Sequence, residues 1–231
     1  MRLALALAIL LIPLSSPAQE GTASITGAIV DMTGAFIPHA TVDLVSATKK
    51  YQVHADDTGV YQFSNLPPGA YTLAFYALAF RQVTVKSIML SEREQKRIPE
   101  ITLMVGYPCG VQFDVRDFVR LLPVGIPFGV LSGSVVPPVE GVEATLVCRT
   151  FNACASTKTD STGHFSFDML SPGLYGLNFR GKGFYPESAT GYGYYVNAGL
   201  ESIYRPVQLA RCPNGNCNPK LRPAKPPALC E

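Results

Sequence analysis

Thr58-Gly59-Val60-Tyr61-Gln62-Phe63-Ser64-Asn65-Leu66-Pro67-Pro68-Gly69-Ala70-Tyr71-Thr72-Leu73-Ala74-Phe75 is answered by Thr162-Gly163-His164-Phe165-Ser166-Phe167-Asp168-Met169-Leu170-Ser171-Pro172-Gly173-Leu174-Tyr175-Gly176-Leu177-Asn178-Phe179, 104 positions further on. Gly, an aromatic ring, Phe, Leu, Pro-Gly, Tyr, Leu and Phe recur in register without a gap. Self-similarity of this length implies two homologous units. Asp56, Asp57 and Thr58, like Asp160, Ser161 and Thr162, place short acceptor side chains before a glycine that tolerates positive φ, which predicts a tight turn entering a strand. Residues two apart, Tyr61/Phe63 and Phe165/Phe167, must share one sheet face, and that face is the core. Leu66 and Leu170 close it, Pro-Gly turns the chain back, and Tyr71 and Tyr175 open the return strand with a hydroxyl placed to tie down the loop. Burying each such side chain is worth on the order of 1.5 to 3 kcal/mol, reason enough for the motif without a ligand.

Outward from the motif, alternation of period two continues. Ser24 to Val30, Ala40 to Val45, Phe80 to Val85 and Ile101 to Leu103 read as strands of the first unit, separated by Asp-, Gly- and Pro-rich turns. Val130 to Val136 and Val142 to Cys148 repeat the plan, with Val207 and Leu209 facing inward on a closing strand. From the first-strand glycine to the motif glycine there are 32 positions in the first unit (Gly27 to Gly59) and 30 in the second (Gly133 to Gly163), so the duplication spans whole units. Ser91 to Lys96 reads as a charged, solvated loop or single turn. Asp114 to Leu122 reads as a short helix or an extra edge strand inside an ordered linker packed on one unit, its apolar content being too high for a free tether.

The pattern Thr-Gly-x-[Tyr/Phe]-x-Phe-x-x-Leu-x-Pro-Gly-x-Tyr-x-Leu resembles the carboxypeptidase regulatory-like domain, a transthyretin-like sandwich related to adhesin B-type repeats. Gly27, Val30 and Asp31, followed by Pro38-x-Ala40-x-Val42, are similar to its opening strand and the approach to its second. The resemblance covers Ile25 to Leu103 and Leu131 to Leu209, and the second copy departs from it at Pro137 to Val142, where the first loop is four residues shorter. It implies an all-β fold of two tandem seven-stranded Greek-key β-sandwiches, prealbumin-like, and a noncatalytic module of a secreted or surface protein. Adhesin relatives carry a Lys cross-link in the first strand; Ala23 to Val30 and Phe128 to Val136 contain no Lys, so that bond is not expected. The expected organisation is a signal peptide over 1–18, a first sandwich over 19–104, an ordered linker over 105–127, a second sandwich over 128–210 and a Pro/Cys-rich tail over 211–231.

Arg2, the apolar run Leu3 to Pro13 and the small residues before Gln19 spell a secretory signal peptide cleaved after Ala18. The run is short of the roughly 20 residues a membrane span requires, so no transmembrane anchor is expected after cleavage. Formal charge is only +2 over 231 residues, and no basic stripe supports a nucleic-acid partner. Export makes disulfides the default for Cys109, Cys148, Cys154, Cys212, Cys217 and Cys230, which all avoid the first sandwich. Cys148 with Cys154 fits a local bridge across a short polar link. Cys109 is placed to clasp the tail through Cys212, Cys217 or Cys230, and Cys212 with Cys217 is the alternative closure.

Catalytic constellations are not found. Asp57-Thr58-Gly59 spells the aspartic-protease triplet, but the second copy, Asp160-Ser161-Thr162-Gly163, has one residue too many. His39, His54 and His164 are the only imidazoles, and none sits in a metal or triad motif. No enzyme, cofactor or metal is expected. One feature exceeds what the scaffold requires: Tyr185, Tyr192, Tyr194, Tyr195 and Tyr204, spaced by glycines and present only in the second unit, are the candidate ligand surface. The function expected is a secreted binding or scaffolding protein that engages a protein partner at the cell surface or envelope, with polysaccharide binding through those tyrosines as the alternative.

Overall fold

The structure, a computed structural model, describes residues 23–106, 116–148, 152–188, 193–215, 217, 218, 220 and 222. The signal segment, Cys109, Tyr192 and Cys230 lie outside the described residues. In the first unit the strands are β1 (Ala23–Asp31), β2 (Thr41–Val45), β3 (Lys50–His54), β4 (Val60–Leu66), β5 (Gly69–Tyr76), β6 (Gln82–Leu90), β7 (Gln95–Arg97) and β8 (Ile101–Leu103). β4 pairs antiparallel with β1, whose other edge takes β7 and then β8 in parallel. A second layer runs β6-β5-β2-β3, antiparallel throughout. Alternation accounts for the core: Ala23, Ile25, Tyr61, Phe63, Leu44, Leu73, Phe75 and Val85 are buried, while their neighbours point outward. Where a charged loop is expected at Ser91 to Lys96, the turn is short and Gln95–Arg97 already pairs with β1, because Lys96 is spent on Glu94 (2.7 Å) and the Met89 carbonyl (2.6 Å).

After β9 (Arg116–Leu121) come β10 (Gly129–Val136), β11 (Glu143–Val147), β12 (Ala153–Lys158), β13 (His164–Leu170), β14 (Gly173–Arg180), β15 (Glu187–Ser188), β16 (Tyr194–Val196), β17 (Leu200–Ile203) and β18 (Val207–Gln208). The pairings of the first unit recur. β13 is antiparallel to β10, whose other edge takes β17 and β18 in parallel, while β12-β11-β14 form the second layer with β15 and β16 on its far edge. Even the irregularity is repeated: the register slips between Ala23 and Ile25 opposite Asn65 (φ 56°), and between Gly129 and Leu131 opposite Met169 (φ 55°). Ring packing matches too, with Tyr61 edge-on to Phe75 at 5.4 Å between centroids and Phe165 edge-on to Phe179 at 5.2 Å.

β9 corrects the expectation of a linker packed on one unit. It pairs parallel with β6 of the first unit and antiparallel with β17 of the second, so both of its edges are occupied and one nine-stranded sheet, β13-β10-β17-β9-β6-β5-β2-β3 with β18 alongside, crosses the molecule. The residues alternate as a strand buried on one face must: Val119 enters the first core, while Phe118 lies beneath the Lys86 ammonium (4.1 Å) and Arg120 meets Glu201 (3.1 Å) on the other face. The same register sets Leu44, Leu73, Val85, Val119, Leu131 and Phe167 on one face, so both cores lie on one side of the shared sheet. β1, β10 and β17 begin, and β6 and β9 finish, at one end of the strands, called here the lower end; the turns headed by Asp31, Asp56 and Asp160 lie at the upper end.

The two cores differ at one atom of consequence. Gly27 leaves room for the Tyr61 ring and Gly133 for the Phe165 ring; a Cβ at Gly27 would stand 2.5 Å from the Tyr61 hydroxyl. That hydroxyl is buried and without a hydrogen-bond partner, whereas Phe165 has none to satisfy. Tyr61→Phe is therefore expected to leave the fold intact and raise stability by about 1 to 3 kcal/mol, the cost of an unsatisfied buried group. Gly27→Ala should lower it, with Tyr61→Phe restoring part of the loss; the urea midpoints of the three variants check this.

Candidate functional site

The tyrosine-rich segment forms a joint between the two units. Tyr185, Tyr194 and Tyr204 are buried and Tyr195 is half-buried, which corrects the expectation of a solvent-facing stacking surface at these positions. The reason is Arg81, itself buried, which reaches across from the first unit, lies over the Tyr194 ring at 5.1 Å and donates to the Gly193 carbonyl at 3.2 Å. Tyr194 packs in turn on Tyr204, ring centroids 4.1 Å apart, and burial pushes the Tyr204 phenol well above its ordinary pKa, so it stays neutral beside the guanidinium. Around this pair, Asn197 Oδ1 accepts from the Thr102 amide (3.2 Å), Ser202 Oγ donates to the Tyr195 carbonyl (3.1 Å), and Leu200 joins the core of the first unit. The tyrosines thus carry the chemistry of a buried cation–π seam. Arg81→Ala removes that contact and its hydrogen bond, and is expected to cost about 2 to 3 kcal/mol; calorimetry should show one transition for the wild type and a broadened or split one for the variant.

Open surface chemistry lies elsewhere, on the outer face of the sheet β12-β11-β14-β15. Cross-strand register lines up Ser156, Thr145, Asn178 and Ser188 in one outward row and Lys158, Glu143 and Arg180 in the next outward row. These rows, Lys158 excepted, floor a groove of about 700 Å³ bounded by Ala153 and Ala155 on one side and Pro186 and Glu187 on the other. The wall at Glu187 is held by the tail: Arg222 ion-pairs with the buried Glu187 carboxylate, donates to the Pro186 carbonyl at 3.2 Å and lies over the Tyr185 ring. Cys212 and Cys217 are bridged, Cys217 Sγ sits against the Phe184 carbonyl, and Arg211 lies over the Phe184 ring at 5.3 Å, so the tail is strapped to the unit that bears the groove. Cys148 and Cys154 are bridged as expected, at the hairpin that joins β11 to β12, and Cys109 and Cys230 are outside the described residues. β12 is the outermost strand of its sheet and is exposed almost throughout, its side chains small from Ala153 to Thr157 and Lys158 closing its end. Neither the groove nor the Arg222–Glu187 pair was legible as a motif; the alternation of polar residues on β11 and β14 was the available signal.

The Asp-Thr-Gly motif is a turn. Asp56 Oδ1 accepts from the Thr58 amide (2.8 Å), the Thr58 hydroxyl (2.7 Å) and the Val60 amide (3.0 Å); Asp160 does the same with Thr162 and His164, and Asp31 with Thr33 and Ala35. Asp160 therefore corresponds to Asp56 rather than to Asp57, which resolves the extra residue in the second copy. These bonds, from the threonine hydroxyls first, hold all three carboxyls below the ordinary aspartate pKa. A depressed folded-state value gives stability that is complete above the unfolded pKa and lost as pH falls through the folded one, so the melting temperature should decline below about pH 4. Replacing Asp56, Asp160 or both with Asn should flatten that decline stepwise in a pH series. His39 faces Asp57 at 3.4 Å and His54 the Thr41 hydroxyl at 3.3 Å, both exposed, and His164 is exposed on β13. Among the described residues no group of three His, Cys, Asp or Glu side chains stands close enough to hold a metal ion, and no helix is long and apolar enough to cross a membrane.

These features define an all-β protein of packed sheets whose reachable chemistry is a polar groove on a sheet face. A carboxypeptidase regulatory-like domain is present at residues 24–104, where the model of that family matches. No curated protein matches the chain. Among solved structures it is similar to the Bacillus anthracis TIE protein (16% identity over 83% of this chain and 34% of that one, TM-score 0.34). It is also similar to a streptococcal ancillary pilin (12% identity, 84% and 64%, TM-score 0.31) and to the minor pilin of Streptococcus agalactiae (12% identity, 82% and 96%, TM-score 0.30). The chain spans about a third of the first of these proteins and about two thirds of the second.

Proposed function

We propose that the protein is an exported, non-catalytic binding or scaffolding protein built from two tandem Greek-key sandwiches of one type, and that it engages a protein partner at the cell surface or envelope. The observation that carries this reading is the groove beside β12: an outermost strand whose side chains are small from Ala153 to Thr157, with Lys158 only at its end, next to two rows of hydroxyl, amide and charged groups. An extended segment of a partner adds to such an edge by main-chain hydrogen bonds, and alternate side chains enter the groove for selectivity. The contrast with β3, the matching edge of the first unit, supports the choice. There Lys50 and Gln52 are tied inward to Asp43 at 2.9 and 2.7 Å and Lys49 covers Tyr51, so the edge is guarded by charge. Tandem duplication is supported by the repeated pairings and the repeated slip opposite Asn65 and Met169. Export is supported by the two bridges, Cys148–Cys154 and Cys212–Cys217.

The test is capture from the native envelope and secreted fractions with the full chain and with two variants, Asn178→Arg in the groove and Leu78→Ser, an exposed position outside it. A specific protein partner is expected to be retained by Leu78→Ser and to fall by about tenfold with Asn178→Arg, one lost groove contact of roughly 1.4 kcal/mol. Equal capture by both variants, or a strong response on a polysaccharide panel with no protein captured, would overturn the reading.

A further inference from the structure

The side chain at the end of the strapped tail is held as a ligand is held. Three consecutive residues build its site: Tyr185 offers a ring face 6.0 Å from the Arg222 guanidinium, the Pro186 carbonyl accepts from one terminal nitrogen at 3.2 Å, and the buried Glu187 carboxylate pairs with the other. A ring face, a neutral acceptor and an anion are what a planar guanidinium satisfies at once and an ammonium does not. Tyr185 is 2% exposed yet belongs to neither hydrophobic core, whereas its neighbour Phe184 belongs to the second. The Tyr185 hydroxyl is buried without a hydrogen-bond partner among the described residues, so a polar group beside the guanidinium is left unused by Arg222.

Arg222 is an exchangeable occupant. Its side chain is 34% exposed against 8% for Glu187, so the site opens to solvent on the side from which Arg222 enters. The tail is pinned at Cys217, whose Sγ rests 3.6 Å from the Phe184 carbonyl, and again at Arg222, while Cys217, Asn218 and Lys220 are themselves exposed. Withdrawing Arg222 therefore disturbs no core packing, and the short tether from Cys217 sets its effective concentration on the order of millimolar. The other cations of this flank are placed otherwise: Arg81 is committed to Tyr194 and Gly193 and Arg211 to Phe184, while Arg180, Lys182, Arg205 and Lys220 point to solvent. Pro186 and Glu187 line the groove, whose width from β12 to β15 is three inter-strand steps of about 4.8 Å. Glu187 stands opposite Phe179, a core ring, so its carboxylate tucks under the edge of β15. A long side chain has to reach round that edge, as Arg222 does.

We propose that Tyr185, Pro186 and Glu187 form a guanidinium-binding site, filled in the free protein by Arg222 and taken over by an arginine of the protein partner that lies in the groove. The partner is that of the groove reading, on which this step rests, but the site is measurable without it. The full chain and its Arg222→Ala variant are titrated with acetyl-arginine amide and with the isosteric, uncharged acetyl-citrulline amide, following the backbone amide signals of Glu187 and Ser188. The arginine probe is expected to bind Arg222→Ala at least about tenfold more tightly than the wild type, because no tethered competitor remains, and the citrulline probe to move neither signal. Arg222→Gln, which keeps a donor for the Pro186 carbonyl, is the second variant, against loss of fold in the first. Binding no tighter to the variants than to the wild type, or equal binding of the two probes, would overturn the site. In capture from the envelope and secreted fractions, Arg222→Ala should retain about tenfold more partner at limiting concentration, and the arginine probe should elute it. Capture unchanged by Arg222→Ala while Asn178→Arg still lowers it would sink the arginine exchange and leave the groove reading standing; capture raised by Arg222→Ala but indifferent to Asn178→Arg would do the reverse. A dimer of the full chain that is lost in Arg222→Ala would assign the site to the tail of a second copy, against a partner's arginine.

Discussion

A strand in the middle of a sheet must find partners for its backbone on both sides, and β9 meets that demand with one unit on each edge. The rest of the architecture depends on this. Because β6 supplies one ladder and β17 the other, the two units share a layer. Val119 and Leu200 then fill the core of the first unit from outside its own sequence, and Arg81 reaches the tyrosines of the second. Unpaired buried amides are costly enough that neither unit is released from β9 without exposing a full ladder. The linker expected to pack on one unit is thus the element that sets the relative position of everything else.

The repeated phrase exposed the local fold because its information is local. Tyr61/Phe63 and Phe165/Phe167 sit two apart, so period alone gives their face, and Tyr71 and Tyr175 donate to the carbonyls of Pro67 and Ser171 at 2.7 and 2.8 Å, the loop ties that their placement predicted. The bridge between Cys148 and Cys154 was legible for the same reason: six residues and one hairpin decide it. The shared sheet was not, because pairing β6 with β9 joins residues more than thirty apart and nothing in Arg116–Leu121 names its partners. β3, β7, β12 and β15 to β17 are short or polar, and acquire strand structure only from the neighbours they complete.

The tyrosines show where residue type misleads. An aromatic ring with a polar tip is equally suited to a wet binding face and to a buried joint, and composition does not distinguish them. What decided the matter was a single arginine over a hundred residues earlier, Arg81, whose guanidinium has Tyr194 as its face and Gly193 as its acceptor. The groove on β12-β11-β14-β15 has the opposite history: its Ser, Thr, Asn and charged residues are ordinary for an exposed sheet face, and only their alignment in rows, with a tail-held wall at Glu187, makes a recess of them.

The order in which the chain visits the shared sheet has a mechanical consequence. The first described residue, Ala23, lies at the lower end of the first unit, and the bridged tail, at Cys212 and Cys217, leaves the upper part of the second. A pull between those two points has a component along the strands, and that component loads the β6–β9 and β9–β17 ladders in shear. Their hydrogen bonds then resist together instead of opening one after another like a zip. A pair of modules joined this way transmits tension as one body, which is a useful property in a protein held between a surface and whatever it grips.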